Sequence, residues 1–441
     1  MKKIVIISYF FAPANMIGAV RMTKLAKYLN KKGYDVQVFT SPNNSILFEK
    51  ENNGYDEILA NDIADISVTR VEHSNFYKKF ASFLRTRFFN GKTNITSTSS
   101  SSEKSSIGSI KTKIRKKILH YGFYWVLMLQ DIDFSIQGKR LINKSGGISD
   151  SVIISTYGPL ANHLLAKKIR KRNKWIADFR DPIAQYENYR LERWINKRIE
   201  NNIVKQADAV VGVADSYLKT ILSDSDKEKN IITNGYDTED LRYVPTSTDD
   251  KKKKLRFCYT GTLYSGMRDI TPIFEAIQVL GKEGKINLND IEIVYAGPQG
   301  EYVLNLANQY GVEEIIVNKG FVPRYESLAI QKDADVIIVL TWNVADNIGY
   351  LPGKFLEHLM FRKEIFGYIA GPYHGSELKQ IVHDLNIGEC FEETDADVKK
   401  KIQDYIEDLY NSKFHTYCKD KVDSYSYSNI CAQYINLINR I

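Results

Sequence analysis

The 441-residue sequence predicts an α/β protein of two domains, each built on a parallel β-sheet. Three observations predict this fold class. The chain is longer than one hydrophobic core usually serves, since single cores stop growing at about 250–300 residues. Short apolar runs rich in Val and Ile alternate with stretches of helical periodicity, which is typical of βαβ units. These runs are uninterrupted, so their strands are expected to be buried on both faces.

The first half of the chain shows the alternation from its start. A continuous apolar strand is predicted at 3–8 and a helix at 19–32. Gly33 ends that helix, and a second strand follows at 36–40. Later strands of this half are predicted at Val152–Thr156, Trp175–Phe179 and Ala209–Val213. We therefore expect an N-terminal Rossmann-like domain over residues 1–235.

The second half repeats the pattern after a turn at 234–237 and a lysine-rich linker at 249–254. Its strands are predicted at 255–259, 291–296, 335–340 and 363–369. We expect a C-terminal Rossmann-like domain over residues 236–415 and a helix at 416–441 that returns to the N-terminal domain. The two parallel sheets are expected to face a central cleft.

Composition excludes several classes of protein. With 43% hydrophobic and 26% charged residues, the chain is neither disordered nor membrane-spanning, and no apolar run approaches the ~20 residues that cross a bilayer. The four cysteines form no CxxC pair and their spacing suggests no metal, which favours a reduced cytosol. We expect a cytoplasmic protein, peripheral at the inner face of the cell membrane.

Charge is distributed unevenly along the chain. Residues 1–245 hold 39 Lys and Arg against 25 Asp and Glu, whereas the remainder holds 22 against 28. A basic half predicts an anionic partner, such as membrane headgroups, a lipid-linked phosphate or nucleic acid. Basic residues at 111–117 precede an aromatic apolar stretch at 121–129, which suits a membrane interface or, alternatively, a core helix with a solvated flank. The Ser/Thr-rich interval 93–109 is predicted to be a mobile loop.

Two turns of the second half are candidate anion sites, because ligands of parallel sheets bind beyond the carboxyl ends of the strands. The segment 259–269 combines glycines with Arg268, which suits a phosphate, although such turns also occur in loops of no function. In the segment 349–359, Pro352 suits the first turn of a helix, whose free N–H groups near Gly353 would receive an anion.

The side chains that follow Gly353 fit the same ligand. Lys354 adds a point charge, and Glu357, one helical turn from Gly353, could accept two hydroxyl hydrogen bonds from a ribose diol. The alternative for this segment is a plain helix cap with a surface Lys–Glu pair.

Turns of the first half are expected to complement these. The turn 13–21 contains Gly18 and links a strand to a helix. The turn 178–182 places two carboxylates and the guanidinium of Arg180 at a strand end, where burial is costly unless they are paired or bind something polar. A structural Asp–Arg pair is the alternative there.

Several segments, in their order and spacing, carry a family resemblance. They are the opening strand with Pro13 and Gly18, then 178–181, 207–211, 234–237, 259–263, Ala296-Gly297, 320–323 and 352–357. Together they resemble the retaining glycosyltransferases of family 4, which have the GT-B fold. The resemblance implies a nucleotide-sugar donor bound mainly by the C-terminal domain, an acceptor in the N-terminal domain, and no metal or other cofactor.

Carried over by position, the resemblance assigns roles to the donor site. Arg268 and Lys354 would neutralise the diphosphate and stabilise its growing charge, and Glu357 would hold the ribose. The backbone near Val322 would meet the base, and Gly18 would lie beside the phosphates.

The remaining assignments follow the same resemblance. Gly261, Thr262 and Gly297 belong to the donor-binding turns. Arg180 stands where many relatives place a histidine near the reacting sugar, and Asp181 where they keep an acid. Relatives often carry a second glutamate eight positions before Glu357, where this chain has Gly349, so contacts to the sugar ring are open.

The leading functional hypothesis is transfer of an N-acetylhexosamine or related hexose, with retention, from a UDP-sugar to a lipid-linked glycan such as a polyprenyl-diphosphate glycan. Such a step belongs to surface polysaccharide biosynthesis, for capsule or lipopolysaccharide. A nucleotide-sugar epimerase and a catalytically silent nucleotide-sugar-binding protein are the alternatives. Nucleic-acid binding is not favoured, because the basic residues are spread over several helices without a recognised module.

Overall fold

A computed structural model describes residues 2–42, 55–88, 110–184, 189–244, 254–344 and 351–441. The chain divides into two compact units. Unit 1 is Met1–Ile232 with Ile435–Ile441, and unit 2 is Thr233–Tyr434. The predicted loop 93–109 and the predicted linker, apart from Lys254, lie outside the described residues. Of the segment 416–441, only the last residues group with unit 1, whereas the sequence suggested the whole segment.

Unit 1 is built on a seven-stranded parallel sheet in the order β3-β2-β1-β4-β5-β6-β7. Its strands are β1 (Lys3–Ile7), β2 (Asp35–Thr40), β3 (Ser67–Arg70), β4 (Ser151–Thr156), β5 (Lys174–Phe179), β6 (Ala209–Gly212) and β7 (Asn230–Ile231). Its helices are α1 (Ile17–Lys31), α2 (Glu57–Asn61), α3 (Asn75–Phe88), α4 (Ile110–Lys144), α5 (Ala161–Ile169), α6 (Arg190–Gln206) and α7 (Asp215–Ile221).

Unit 2 is built on a six-stranded parallel sheet in the order β10-β9-β8-β11-β12-β13. Its strands are β8 (Leu255–Thr260), β9 (Ile291–Ala296), β10 (Ile316–Asn318), β11 (Val336–Trp342), β12 (Glu364–Ala370) and β13 (Gly388–Glu392). Its helices are α8 (Thr271–Lys282), α9 (Gly300–Gln309), α10 (Arg324–Asp333), α11 (Phe355–His358), α12 (Glu377–Leu385), α13 (Val398–Tyr410) and α14 (Lys419–Asp423), and α15 (Tyr427–Arg440) ends the chain.

The central strands follow directly from their sequences. Every residue of β4 is buried, and β1 is buried from Ile4 to Ile7, as expected for apolar strands covered on both faces. Large aromatic side chains complete the cores, with Trp175 in unit 1 and Phe274 in unit 2 fully buried. The predicted α/β fold with two Rossmann-like, parallel-sheet domains is confirmed.

Each sheet has one point where the strand order reverses. In unit 1 the chain moves outward from β1 to β3 and then returns to place β4 on the other side of β1. In unit 2 the same reversal separates β8 from β11, which pair through Val336 and Phe257. Ligands of open α/β sheets bind at such switch points, beyond the carboxyl ends of the strands. The turns after β8 and β11 are therefore the expected ligand-binding turns of unit 2.

Candidate functional site

Arg268 lies in the turn after β8, at the switch point of unit 2. Its guanidinium stands over the rings of Tyr264 and Trp342, with centroid distances of 4.8 and 5.8 Å. Nη1 donates to the carbonyl oxygen of Thr262 at 3.2 Å and to the hydroxyl of Tyr259 at 3.4 Å. Trp342 ends β11, so side chains from both central strands of the sheet hold this cation in place.

The charge of Arg268 is not neutralised by a neighbouring acid. Among the described residues, no carboxylate lies within ion-pair distance of its guanidinium, and its buried Nε has no hydrogen-bond partner there. A guanidinium held by aromatic rings and carbonyl oxygens keeps its positive charge available for an anion.

Lys354 precedes α11 and is the second cation of the site. Its side chain is exposed, and within the described ranges it forms no ion pair with any acid. Desolvation lowers the pKa of Lys354; nearby Glu357 opposes this, while the positive charges of Arg324 and Arg268 lower the pKa further. Because the charge of Arg268 lowers the pKa of Lys354, the two cations are close enough to interact electrostatically.

Glu357, the third residue of α11, is held by Arg324, which the sequence analysis does not single out. Arg324, which begins α10, donates from Nη1 to Glu357 at 3.2 Å and from Nη2 to buried Asp240 at 3.2 Å. Burial raises the pKa of Glu357, but the charges of Arg324 and Lys354 outweigh burial and lower it overall. The carboxylate is therefore ionised and fixed in orientation at neutral pH.

The pKa of the next residue, His358, is affected by the same positive charges. It is buried, and its Nδ1 lies 2.6 Å from the side-chain oxygen of Gln331. Desolvation lowers the pKa of His358 to about 4; Glu357 opposes the shift, and Lys354 and Arg268 add to it. His358 is therefore neutral near pH 7 and contributes no charge to the site.

The glycines of this edge let neighbouring turns pack closely. The N–H of Gly261 donates to the carbonyl of Ala296 at 2.9 Å, and that of Gly297 donates to Gly320 at 2.8 Å. A Cβ on Gly297 would lie 2.1 Å from the carbonyl oxygen of Gly261, so only glycine lets the two turns approach. Both amides donate to carbonyls, so the structure shows these glycines positioning the Arg268 turn, and their contact with a donor phosphate stays a prediction.

The turn before α11 also differs from expectation. Pro352 lies outside the helix, which runs only from Phe355 to His358 and then tightens into a 3₁₀ turn. So short a helix has little dipole, and the positive charge here comes mainly from Lys354 rather than from helix N–H groups. Gly353 is exposed in this turn, whereas Gly349 falls outside the described residues.

Two further predicted residues line the same edge of the sheet. Thr262 contributes through its carbonyl, which accepts from Arg268. Val322 is half-buried and follows Gly320, whose carbonyl accepts from Gly297. The turn after β10 thus adjoins the turn after β9, next to the Arg268 turn.

In unit 1, Arg180 acts as a structural brace, meaning a side chain that holds backbone segments together through hydrogen bonds. Its guanidinium donates to the carbonyl oxygens of Tyr157 at 2.9 Å, Gly158 at 2.9 Å and Gly18 at 3.0 Å. These carbonyls belong to the first turn of α1 and to the turn after β4. A Cβ on Gly158, whose φ is +94°, would lie 2.4 Å from Nη2 of Arg180. The geometry assigns Arg180 to holding turns together and leaves Gly18 as one of the carbonyls it holds.

The two carboxylates of the Asp178–Asp181 turn differ sharply. Asp178 is fully buried in a two-bond pair with Arg21, at 2.8 and 3.1 Å, and also accepts from Thr156. The structural Asp–Arg alternative therefore applies to Asp178, with Arg21 rather than Arg180 as partner. Asp181 has no hydrogen bond to any described residue, and burial raises its pKa against the opposing charge of Arg180.

One group in unit 2 has metal-ligand geometry. The ligand atoms of His374, Glu392 and Asp395 lie within 4.8 Å of one another. However, Asp395 accepts from Lys379 with both oxygens, and Glu392 accepts from the backbone N–H of Ser376. These contacts account for the cluster as an anchor for the start of α12.

No protein-family model matches the chain, and no curated protein matches it either. Solved structures do. Sucrose-phosphate synthase of Thermosynechococcus elongatus is 14% identical with a TM-score of 0.58, covering 100% of this chain and 99% of its own. The lipopolysaccharide outer core galactosyltransferase WaaB is 10% identical with a TM-score of 0.55, covering 100% of both chains.

A third similar structure has a different printed activity. The protein from Listeria monocytogenes described as a putative UDP-N-acetylglucosamine 2-epimerase is 10% identical with a TM-score of 0.53, covering 99% of this chain and 96% of its own. Identities this low show the fold alone. The chain thus has the two-domain α/β fold found in glycosyltransferases and in nucleotide-sugar epimerases.

Proposed function

We propose that this chain is a glycosyltransferase that moves an N-acetylhexosamine or related hexose from a UDP-sugar to a lipid-linked glycan, with retention and without a metal. The observation that carries the proposal is the pair Arg268 and Lys354 at the switch point of unit 2. Both cations lack an ion-pair partner among the described residues, and the charge of Arg268 lowers the pKa of Lys354. Two positive charges that interact with each other and have no ion-pair partner suit a diphosphate.

The reaction follows from this arrangement. The bond between the anomeric carbon and the diphosphate oxygen breaks, a bond from the acceptor hydroxyl oxygen to that carbon forms, and the acceptor proton passes to the departing diphosphate. Negative charge grows on the diphosphate as the bond breaks. Arg268 and Lys354, held in place beforehand, stabilise that charge more strongly in the transition state than in the bound donor.

Glu357 supplies orientation. Its carboxylate is ionised and pinned by Arg324, so its free lone pairs can accept the two hydroxyl hydrogen bonds of a ribose. The distribution of charge also favours a nucleotide. Glu357 pairs with Arg324, so Arg268 and Lys354 remain available for the phosphates.

Binding of UDP tests the proposal. We expect UDP to raise the melting temperature of the protein, and Arg268→Ala or Lys354→Ala to abolish that rise. Lys282→Ala is the matched control, because Lys282 is exposed at the end of α8 and has no partner among the described residues. Equal stabilisation of all four proteins by UDP would refute the assignment of these cations.

A nucleotide-sugar epimerase is the second candidate, because the fold is also that of the Listeria protein described above. Incubation with UDP-N-acetylglucosamine alone separates the two. An epimerase changes the configuration of the sugar without any acceptor, whereas a transferase leaves the UDP-sugar unchanged or releases UDP slowly to water. Chromatography of the nucleotide sugars distinguishes these products.

A further inference from the structure

Helix α4 exposes an apolar stripe to solvent. Trp125, Leu129, Ile132 and Ile136 are spaced by four, three and four residues, which places them on one face of a helix. They are 37–50% exposed, whereas Phe134 of the same helix is fully buried. A helix that packs on a sheet normally turns polar side chains outward, so this outward apolar face calls for a partner.

Helix α3, which contacts α4, also exposes large apolar side chains. Phe76 is 80% exposed and Phe83 is 58% exposed. The two helices touch and run antiparallel, since the N–H of Ser74 meets Asp133 at 2.9 Å and the hydroxyl of Tyr77 meets Gln130 at 3.3 Å. We name the six exposed side chains of these two helices the α3–α4 surface: Phe76, Phe83, Trp125, Leu129, Ile132 and Ile136.

The sequence of the same two helices is strongly basic. Helix α3 contains two lysines and two arginines and no acid. Helix α4 contains five basic residues between Ile110 and Gln130, again without an acid. Basic residues beside exposed Trp and Phe are what an anionic lipid surface attracts, because the cations meet headgroups while the aromatic rings enter the interface.

No helix in the described ranges is long and apolar enough to cross a membrane. We propose that the α3–α4 surface lies in the plane of an anionic lipid bilayer. Trp125 and the phenylalanines enter the headgroup boundary, exposed Lys79 of α3 meets the lipid phosphates, and the net positive charge of the two helical sequences adds to the attraction. Membrane binding itself is inferred from these two helices. Its role, which is access to a lipid-linked acceptor, rests on the proposed function.

Vesicle sedimentation tests the surface. The wild-type protein should pellet with phosphatidylcholine–phosphatidylglycerol vesicles and remain in the supernatant with phosphatidylcholine alone or at high salt. The double variant Trp125→Glu with Leu129→Glu should bind the anionic vesicles at least about tenfold more weakly. Ile231→Glu with Phe414→Glu is the matched control, since these side chains are 44% and 43% exposed and lie elsewhere; this variant should bind like the wild type.

Each other outcome overturns the inference. It fails if the wild type does not bind anionic vesicles, or if the variant at Trp125 and Leu129 binds as well as the control. It also fails if the wild type forms a dimer in solution that this variant disrupts, with no vesicle binding, because a second copy then covers the surface. Stabilisation by UDP, measured without vesicles, reports on the proposed function separately: binding to vesicles without any UDP effect would overturn the glycosyltransferase assignment and leave the surface standing.

Discussion

Arg180 in unit 1 and Arg268 in unit 2 look alike in sequence and differ in structure. Each follows a strand at the carboxyl edge of a parallel sheet, beside glycine-containing turns. Arg180 donates to three backbone carbonyls, whereas Arg268 uses only Nη1 for hydrogen bonds to described residues. An arginine at a strand end is thus a brace or a ligand-binding cation according to how many carbonyl oxygens surround it, and the two roles predict opposite consequences of mutation.

The largest effect is expected for Arg268→Ala. Release of UDP from UDP-N-acetylglucosamine should slow by about 100- to 1,000-fold, as when one donor to a developing negative charge is removed. The free energy of unfolding should fall less than in Arg180→Ala, because Arg268 donates to one backbone carbonyl and one hydroxyl rather than to three carbonyls. Steady-state kinetics and urea unfolding measure the two quantities; a large loss of stability with an unchanged rate would make Arg268 a brace as well.

Arg180→Ala should show the opposite pattern. Removing its guanidinium leaves three carbonyl oxygens of adjoining turns without their donor, so the free energy of unfolding should fall by about 2–3 kcal/mol. Arg172→Ala is the matched control, since Arg172 is exposed. If urea unfolding of Arg180→Ala matches that of the control, the bracing role is wrong and the catalytic role implied by the family resemblance regains its place.

Arg324→Gln sharpens the comparison, because Arg324, unlike Arg268, is paired with two carboxylates. The change leaves Glu357 and Asp240 without their shared partner and frees Glu357 to move. We expect the KM for the UDP-sugar to rise about tenfold while kcat falls much less, the signature of lost ground-state positioning. A loss confined to kcat would instead mean that Arg324 acts on the transition state. Arg324→Lys, which keeps the charge, should restore part of the affinity.

The smallest effect is a pH dependence of UDP binding. The pKa of free Lys354 is lowered by desolvation and by the neighbouring cations. Its charge is therefore complete below that pKa and is lost as the pH rises through it, so the affinity for UDP should fall as the pH is raised from neutral to alkaline. Lys354→Arg stays charged and should flatten this profile. A wild-type affinity that increases over the same range would contradict the sign.

The strands that could be predicted from sequence differ from the others in their position within the sheet. The central strands β1, β4, β8 and β11 were predicted because both their faces are buried and their sequences are continuously apolar. The four strands that the sequence did not reveal, β3, β7, β10 and β13, are the edges of the two sheets. Edge strands are short or partly exposed, so their sequences need not be continuously apolar. Strand β7, for example, has only two residues and shows no apolar run.

The site shows the same limit. Arg268, Lys354 and Glu357 could be chosen from their own turns, because a cation after a strand is a local signal. Arg324 could not, since its partners lie 33 and 84 residues away in sequence. The brace formed by Arg180 depends on carbonyl directions that no side-chain pattern encodes.

A crystal structure of the protein with UDP tests the central claim most directly. We expect oxygens of one diphosphate to lie about 3 Å from the guanidinium of Arg268 and from the ammonium of Lys354, with the ribose hydroxyls on Glu357. A diphosphate bound elsewhere, or one held by Arg268 while Lys354 points away from it, would contradict the account.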